Sequence, residues 1–206
     1  MNTELVLVIG DMFVPQRCPD IPPQFKSLLI PNKIQHVLCL GNIGSTESYD
    51  WLKSLSNNFH CVKGDFDEND FPEKESIQIG EFNIGLIHGH QIFPWGDVKS
   101  LGGVQRELGC DILVSGHTHQ LDVKVNDNIL YLNPGSASGA FSPEIKDNNA
   151  SFILMVLQGE EAVIYCYVMN EKENKFTVDK MEYIKGRNEI KQIQNDEEEN
   201  EDRKEE

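Results

Sequence analysis

Phe82-Asn83-Ile84-Gly85-Leu86-Ile87-His88-Gly89-His90 decides how this chain is read, and Ile112-Leu113-Val114-Ser115-Gly116-His117-Thr118-His119 repeats its form. Each is an apolar run that closes on glycine and histidine. Such a run reads as a buried strand handing its C-terminal end to a loop. In α/β proteins the ends of parallel strands are where polar site residues gather. Four of the six histidines fall in these two motifs. Two His-x-His pairs at strand ends point to a metal site, because neutral imidazole is the commonest metal ligand near neutral pH.

The same form recurs toward the N-terminus. Leu5 to Gly10 is continuously apolar, as expected of a central strand covered on both faces, and it ends at Asp11. Ile34 to Leu40 closes on Gly41-Asn42, and Phe59 to Lys63 on Gly64-Asp65. Between them lie a short helix, Pro23 to Leu29, and a second helix capped by Ser45 or Thr46 that runs to about Leu55. Strands alternating with helices mean α/β with a parallel sheet. Glu75 to Ile79 and Asn83 to His88 read as a hairpin turning at Gly80. A helix through Val98, Leu101, Val104 and Leu108 follows, weakened by Gly102-Gly103, and then Asp111 to Ser115. From Leu121 onward the chain is nearly all strand (121–125, 129–132, 151–157, 162–168 and 176–184), and these later strands are expected to form a second sheet.

Composition narrows the function. The formal net charge of −16 argues against binding nucleic acid or an anionic membrane surface, since either needs a basic patch. Asn195 to Glu206, with eight acidic and two basic residues, reads as a disordered, solvated block. The five cysteines (Cys18, Cys39, Cys61, Cys110, Cys166) form no CxxC, and Cys39, Cys61 and Cys166 sit in apolar runs as small hydrophobes. A reducing compartment fits. Met-Asn-Thr-Glu followed by Leu5 to Ile9 has no basic n-region and is too short for a signal peptide or a spanning helix. The expected location is the cytoplasm.

Asp11, Asn42, Asp65, His88, His117 and His119 form a mixed oxygen and nitrogen ligand set suited to Mn, Zn or Fe. Their order resembles the calcineurin-like metallophosphoesterase family, whose site reads Asp-x-His, Gly-Asp-x-x-Asp, Gly-Asn-His-Asp, a lone His and Gly-His-x-His. The resemblance runs from about Leu5 to Gly135. It implies an α/β fold of two sheets packed as a β-sandwich flanked by helices. The expected division is one such domain over residues 1–185 and an acidic disordered tail over 186–206.

Departures from the family pattern carry the functional reading. Phe13 stands where the first motif has His, Asn42 where a bridging Asp joins two metals, and Asp65-Phe66 where the family has an Asn ligand and a proton-donating His. One metal position keeps Asp11, Asn42 and His119; the other keeps Asn42, Asp65, His88 and His117. Without the bridging carboxylate the repulsion between two cations has less to offset it. Without the histidine the general acid is gone, a factor of roughly 10²–10⁴ in rate. The expectation is no catalytic residue and at most one tightly held Zn or Mn ion.

Gly64 to Asn69, Ile84 to Gln91, Pro94 to Asp97 and Asn133 to Ala137 together resemble the small-subunit family of retromer, over nearly the whole chain to about Tyr183. Phe13 departs from that family as well, which typically has His there. This resemblance implies a non-catalytic scaffold subunit for endosome-to-Golgi protein transport, reaching endosome membranes only through its complex. A large helical-solenoid subunit would dock at Phe93, Pro94 and Trp95. Regulatory proteins would bind an apolar patch of Leu5, Leu154, Tyr165, Tyr167 and Val178. Alternation puts Tyr165 and Tyr167 on one face of a strand and leaves open whether that face is solvent or core. The rival readings are a weak divalent-metal-dependent phosphoesterase and a free-standing metal-binding regulator. His36 and His60 are expected to be structural.

Overall fold

The structure is a computed structural model that describes residues 3–143, 145–170 and 175–193. The first third is β1 (Thr3–Ile9), α1 (Pro23–Leu28), β2 (His36–Cys39), α2 (Thr46–Leu55) and β3 (Asn58–Cys61). The middle third is β4 (Lys74–Ile79), β5 (Phe82–Ile87), α3 (Val98–Leu108), β6 (Ile112–Ser115), β7 (Leu121–Asn126) and β8 (Ile129–Pro134). Four further strands follow: β9 (Ser151–Gln158), β10 (Glu161–Asn170), β11 (Lys175–Ile184) and β12 (Ile190–Ile193).

These strands form two mixed sheets, seven strands in the order β12-β11-β10-β9-β1-β2-β3 and five in the order β4-β5-β6-β8-β7. Val6 to Ile9 of β1 are wholly buried, so this strand needs cover on both faces and a partner on both edges. Alternation divides its side chains. Val6 and Val8 enter the core between the sheets with Leu38, Ile84, Leu86, Ile112 and Val114. Leu7 and Ile9 face the other way, onto Phe25 of α1 and Leu52 and Leu55 of α2. Helix α2 starts where the Ser45 side chain accepts the N–H of Ser48, the cap expected from the sequence. Helix α3 starts at Asp97, whose carboxylate accepts the N–H of Ser100, and ends at Gly109 in the left-handed region. It covers the second sheet with Leu101 and Val104.

Two expectations need correction. The later strands do not form one second sheet. β7 and β8 complete the five-stranded sheet, β8 lying parallel to β6, whereas β9 pairs antiparallel with the free edge of β1, Val8 opposite Ile153. Its nearly continuous burial from Ser151 to Met155 suits a strand enclosed between β1 and β10. The folded region also passes residue 185. Ile190–Ile193 pairs with β11, Tyr183 opposite Ile190, and Ile190 packs on the edge of the inter-sheet core. The remainder of the expected acidic tail, 194–206, lies outside the described residues. All five cysteines are free. Among the described residues no helix is long and apolar enough to cross a membrane.

Candidate metal centre and its aromatic rim

Asp11, Asn42, Asp65, His88, His117 and His119 follow β1, β2, β3, β5 and β6, and the sandwich brings all six together. The backbone there is strained. Asp11, Phe13, Asn42, His117 and His119 all have φ between +48° and +69°, a left-handed conformation that costs a non-glycine residue about 1–2 kcal/mol. Such strain concentrates at functional positions. Gly64 is required by close approach, since a Cβ there would lie 2.2 Å from Asn42 Oδ1.

Asp65, His88 and His117 form the ligand cluster, with one donor atom from each lying within 4.8 Å of the others. Asp65 Oδ1 is 3.1 Å from His88 Nε2 and 3.7 Å from His117 Nδ1. His88 Nδ1 donates to the Leu40 carbonyl at 2.6 Å, which turns Nε2 toward the cluster, as an outer hydrogen bond commonly does for a metal-binding histidine. One carboxylate and two imidazoles fit a single Zn or Mn ion with positions left for water.

The second expected position is poorer in ligands. Asp11 is wholly buried, and its Oδ2 already accepts the His117 N–H at 2.8 Å. His119 Nε2 lies 3.7 Å from Asp11 Oδ1, but the third ligand is missing because the Phe13 ring packs on His119, centroids 5.4 Å apart.

Asn42, expected to serve both positions through its oxygen, points the other way. Its Oδ1 accepts the Phe66 N–H at 3.0 Å. Its Nδ2 faces Asp11 Oδ1 at 3.1 Å, Asp65 Oδ1 at 2.9 Å and His88 Nε2 at 3.1 Å. A backbone N–H can only donate, so the oxygen must lie on the Phe66 side. The physical reason is that two carboxylates at the centre need donors, which an amide supplies and a carboxylate cannot.

Protonation follows this geometry. Burial alone would raise the Asp65 pKa, but hydrogen bonds from His117, His88 and Asn42 outweigh it and hold the carboxyl far below its ordinary range. Burial alone would lower His88; the Asp11 charge and the hydrogen bond to Asp65 outweigh it, and its pKa is raised. An imidazole must lose its proton to bind a metal. The raised pKa therefore means that protons begin to compete at a higher pH than at a free histidine. Zn²⁺ affinity, measured against a competing chelator, is expected to fall by up to about tenfold per unit as pH drops through the range in which His88 takes up its proton, a fall that sets in above the ordinary histidine value of about 6.5. An affinity flat across that window would contradict this protonation state.

Around this centre lies an aromatic rim. Trp95 stands edge-on to His117, centroids 4.6 Å apart, and its Nε1 donates to the His90 carbonyl. Phe93 beside it is 80% exposed, and Phe66 and Phe141 are each 63% exposed. The Arg17 guanidinium lies 3.9 Å from the Phe13 ring centroid and 4.8 Å from that of Phe66, and it donates to the Phe141 carbonyl. Phe13, Arg17, Asp65, Phe66, Trp95 and His117 help to line a cavity of about 160 Å³. Sequence reasoning found Phe93, Pro94 and Trp95 but missed Arg17 and Phe141, and it treated Phe66 only as a lost proton donor. Motif order carries no signal for residues that meet only through loop packing.

Leu5, Leu154, Tyr165, Tyr167 and Val178 come together on the outer face of the seven-stranded sheet. Tyr165 lies opposite Leu154, and Tyr167 opposite Val178. All five are half-buried, while Ile164 and Cys166, which alternate with the two tyrosines, point into the inter-sheet core. His36 and His60 sit away from the centre, near Glu4 and hydrogen-bonded to Glu75 respectively.

The chain belongs to the calcineurin-like phosphoesterase superfamily, whose domain model matches residues 5–160. Vacuolar protein sorting-associated protein 29 of Schizosaccharomyces pombe is 38% identical over 186 residues, covering 88% of this chain and 98% of that protein. The structure of vacuolar protein sorting 29 from Cryptosporidium parvum matches with a TM-score of 0.84 at 44% identity, covering 89% of this chain and 99% of that one. The crystal structure of wild-type Vps29 complexed with Zn²⁺ from Entamoeba histolytica matches with a TM-score of 0.81 at 45% identity, covering 86% and 98%. Within the superfamily, these relatives place the chain in the Vps29 family.

Proposed function

We propose that this chain is a non-catalytic scaffold subunit of a retromer-like complex in endosome-to-Golgi transport, and that its degenerate metal centre is the docking surface for a large helical-solenoid subunit. One observation carries the reading: Phe13, Asn42 and Phe66 stand where the superfamily keeps its ligands and proton donor, while exposed aromatics ring the same spot. Aromatic side chains are costly to leave in water and are favoured anchors at interfaces. Asp65, His88 and His117 hold one Zn or Mn ion, a role that the Zn²⁺-bound Entamoeba histolytica relative supports. The outer patch of Leu5, Leu154, Tyr165, Tyr167 and Val178 receives regulatory proteins, and the chain meets endosome membranes only through its complex. The weak-phosphoesterase alternative has a ligand cluster but has Phe66 where the superfamily's proton donor stands. Purification of the tagged chain from its own cells, with quantitative mass spectrometry, tests the assignment. A stoichiometric helical-solenoid partner is expected; a chain that purifies alone and turns over a phosphoester with Mn²⁺ would overturn it.

A further inference from the structure

The Asn42 amide nitrogen lies among the atoms that would hold the ion. It is within 2.9 Å of Asp65 Oδ1 and 3.1 Å of His88 Nε2, two of the three cluster ligands. One of its N–H groups faces Asp65 Oδ1 and His88 Nε2, the atoms whose lone pairs an ion would take, and the nitrogen also lies 3.1 Å from Asp11 Oδ1, outside the cluster. With those lone pairs turned to a cation, the amide would present its positive edge to a positive charge. Half a turn about the last torsion presents the oxygen instead. The same turn sets the amide N–H against the Phe66 N–H, now held at 3.0 Å by Oδ1, leaving two donors face to face. The loop base stays fixed, because the Asp67 carboxylate accepts the N–H groups of Asn42, Ile43 and Gly64. That leaves the Phe66 peptide to yield, and Phe66 is 63% exposed on the rim with its ring against Phe13 and Arg17.

We propose that Asn42 is an amide switch: ion loading at Asp65, His88 and His117 turns its side chain, releases the Phe66 N–H, and so changes how an exposed aromatic is presented on the docking rim. The consequence for docking rests on the function proposed above, but the coupling itself belongs to the isolated chain.

The test uses the metal-free full chain, labelled with ¹⁵N, and reads backbone amide exchange as Zn²⁺ is added. The Phe66 N–H is expected to exchange about tenfold faster in the saturated protein, the loss of one hydrogen bond, with Asn42 and Ile43 unchanged. In Asn42→Asp, one oxygen keeps the Phe66 N–H while the other faces the ion, so Zn²⁺ should not speed Phe66 exchange. In Asn42→Ala, Phe66 should exchange fast with or without Zn²⁺. Zn²⁺ that does not bind, or that binds the unmodified chain without speeding Phe66, would overturn the proposal, as would equal acceleration in Asn42→Asp. No partner is present, so failure here leaves the scaffold assignment standing, and failure of that assignment leaves the switch.

Discussion

Trp95→Ala and Phe93→Asp are each expected to weaken binding to the helical partner subunit by about 2 kcal/mol or more, roughly 30-fold in Kd. Phe93 is almost fully in water, and its ring meets Trp95 edge-on, centroids 6.2 Å apart. Neither residue belongs to the buried core clusters, so their removal should leave the fold intact. A partner pocket that closes over them would recover the apolar area now exposed. Isothermal calorimetry beside thermal melts separates the cases. Lost affinity with an unchanged melting temperature is the expected result. Unchanged affinity would put the interface elsewhere, and affinity lost in parallel with stability would make these residues core anchors.

The second large effect concerns catalysis. Hydrolysis of an activated phosphoester by the unmodified chain with Mn²⁺ is expected to stay near background. Phe66 has no proton to give, and Asn42 presents N–H groups where a bridging carboxylate is needed. Phe13→His, Asn42→Asp and Phe66→His together should raise the rate more than any single change, because the groups act as a unit. The restored general acid alone is worth about 10²–10⁴ once the other parts are present. Alone, Asn42→Asp puts a third carboxylate beside Asp11 and Asp65 and removes the donor that holds them, so metal-free stability should fall and recover with Mn²⁺. Steady-state rates of the single and triple variants check this. Robust turnover by the unmodified chain would contradict it.

Much of the fold was legible because period and punctuation agreed. Leu5–Ile9, Ile34–Leu40 and Phe59–Lys63 each end on glycine and a polar residue, and Ser45 caps the helix between the last two. The late strands were misassigned because hydrophobic alternation says that a strand has a buried face but not which edge it joins. Ile190–Ile193 was hidden by its own sequence: Ile-Lys-Gln-Ile beside a charge block has no strand period, and its pairing with β11 is decided by contact across the sheet. At the site, the six expected residues do meet, since motif order fixes which strand ends carry them. The direction of the Asn42 amide was not legible. It depends on a hydrogen bond from Phe66, 24 residues away, and on two carboxylates that need a donor.

In the scaffold reading the degenerate centre faces a partner and not open water. Hydroxyl-radical footprinting of Phe66, Phe93 and Trp95, in the free chain and in the assembled complex, measures this most directly. The expected result is strong labelling of all three in the free chain and its suppression on assembly, while Tyr165 and Tyr167 on the outer patch keep their labelling. Equal labelling of the rim in both states would contradict the account.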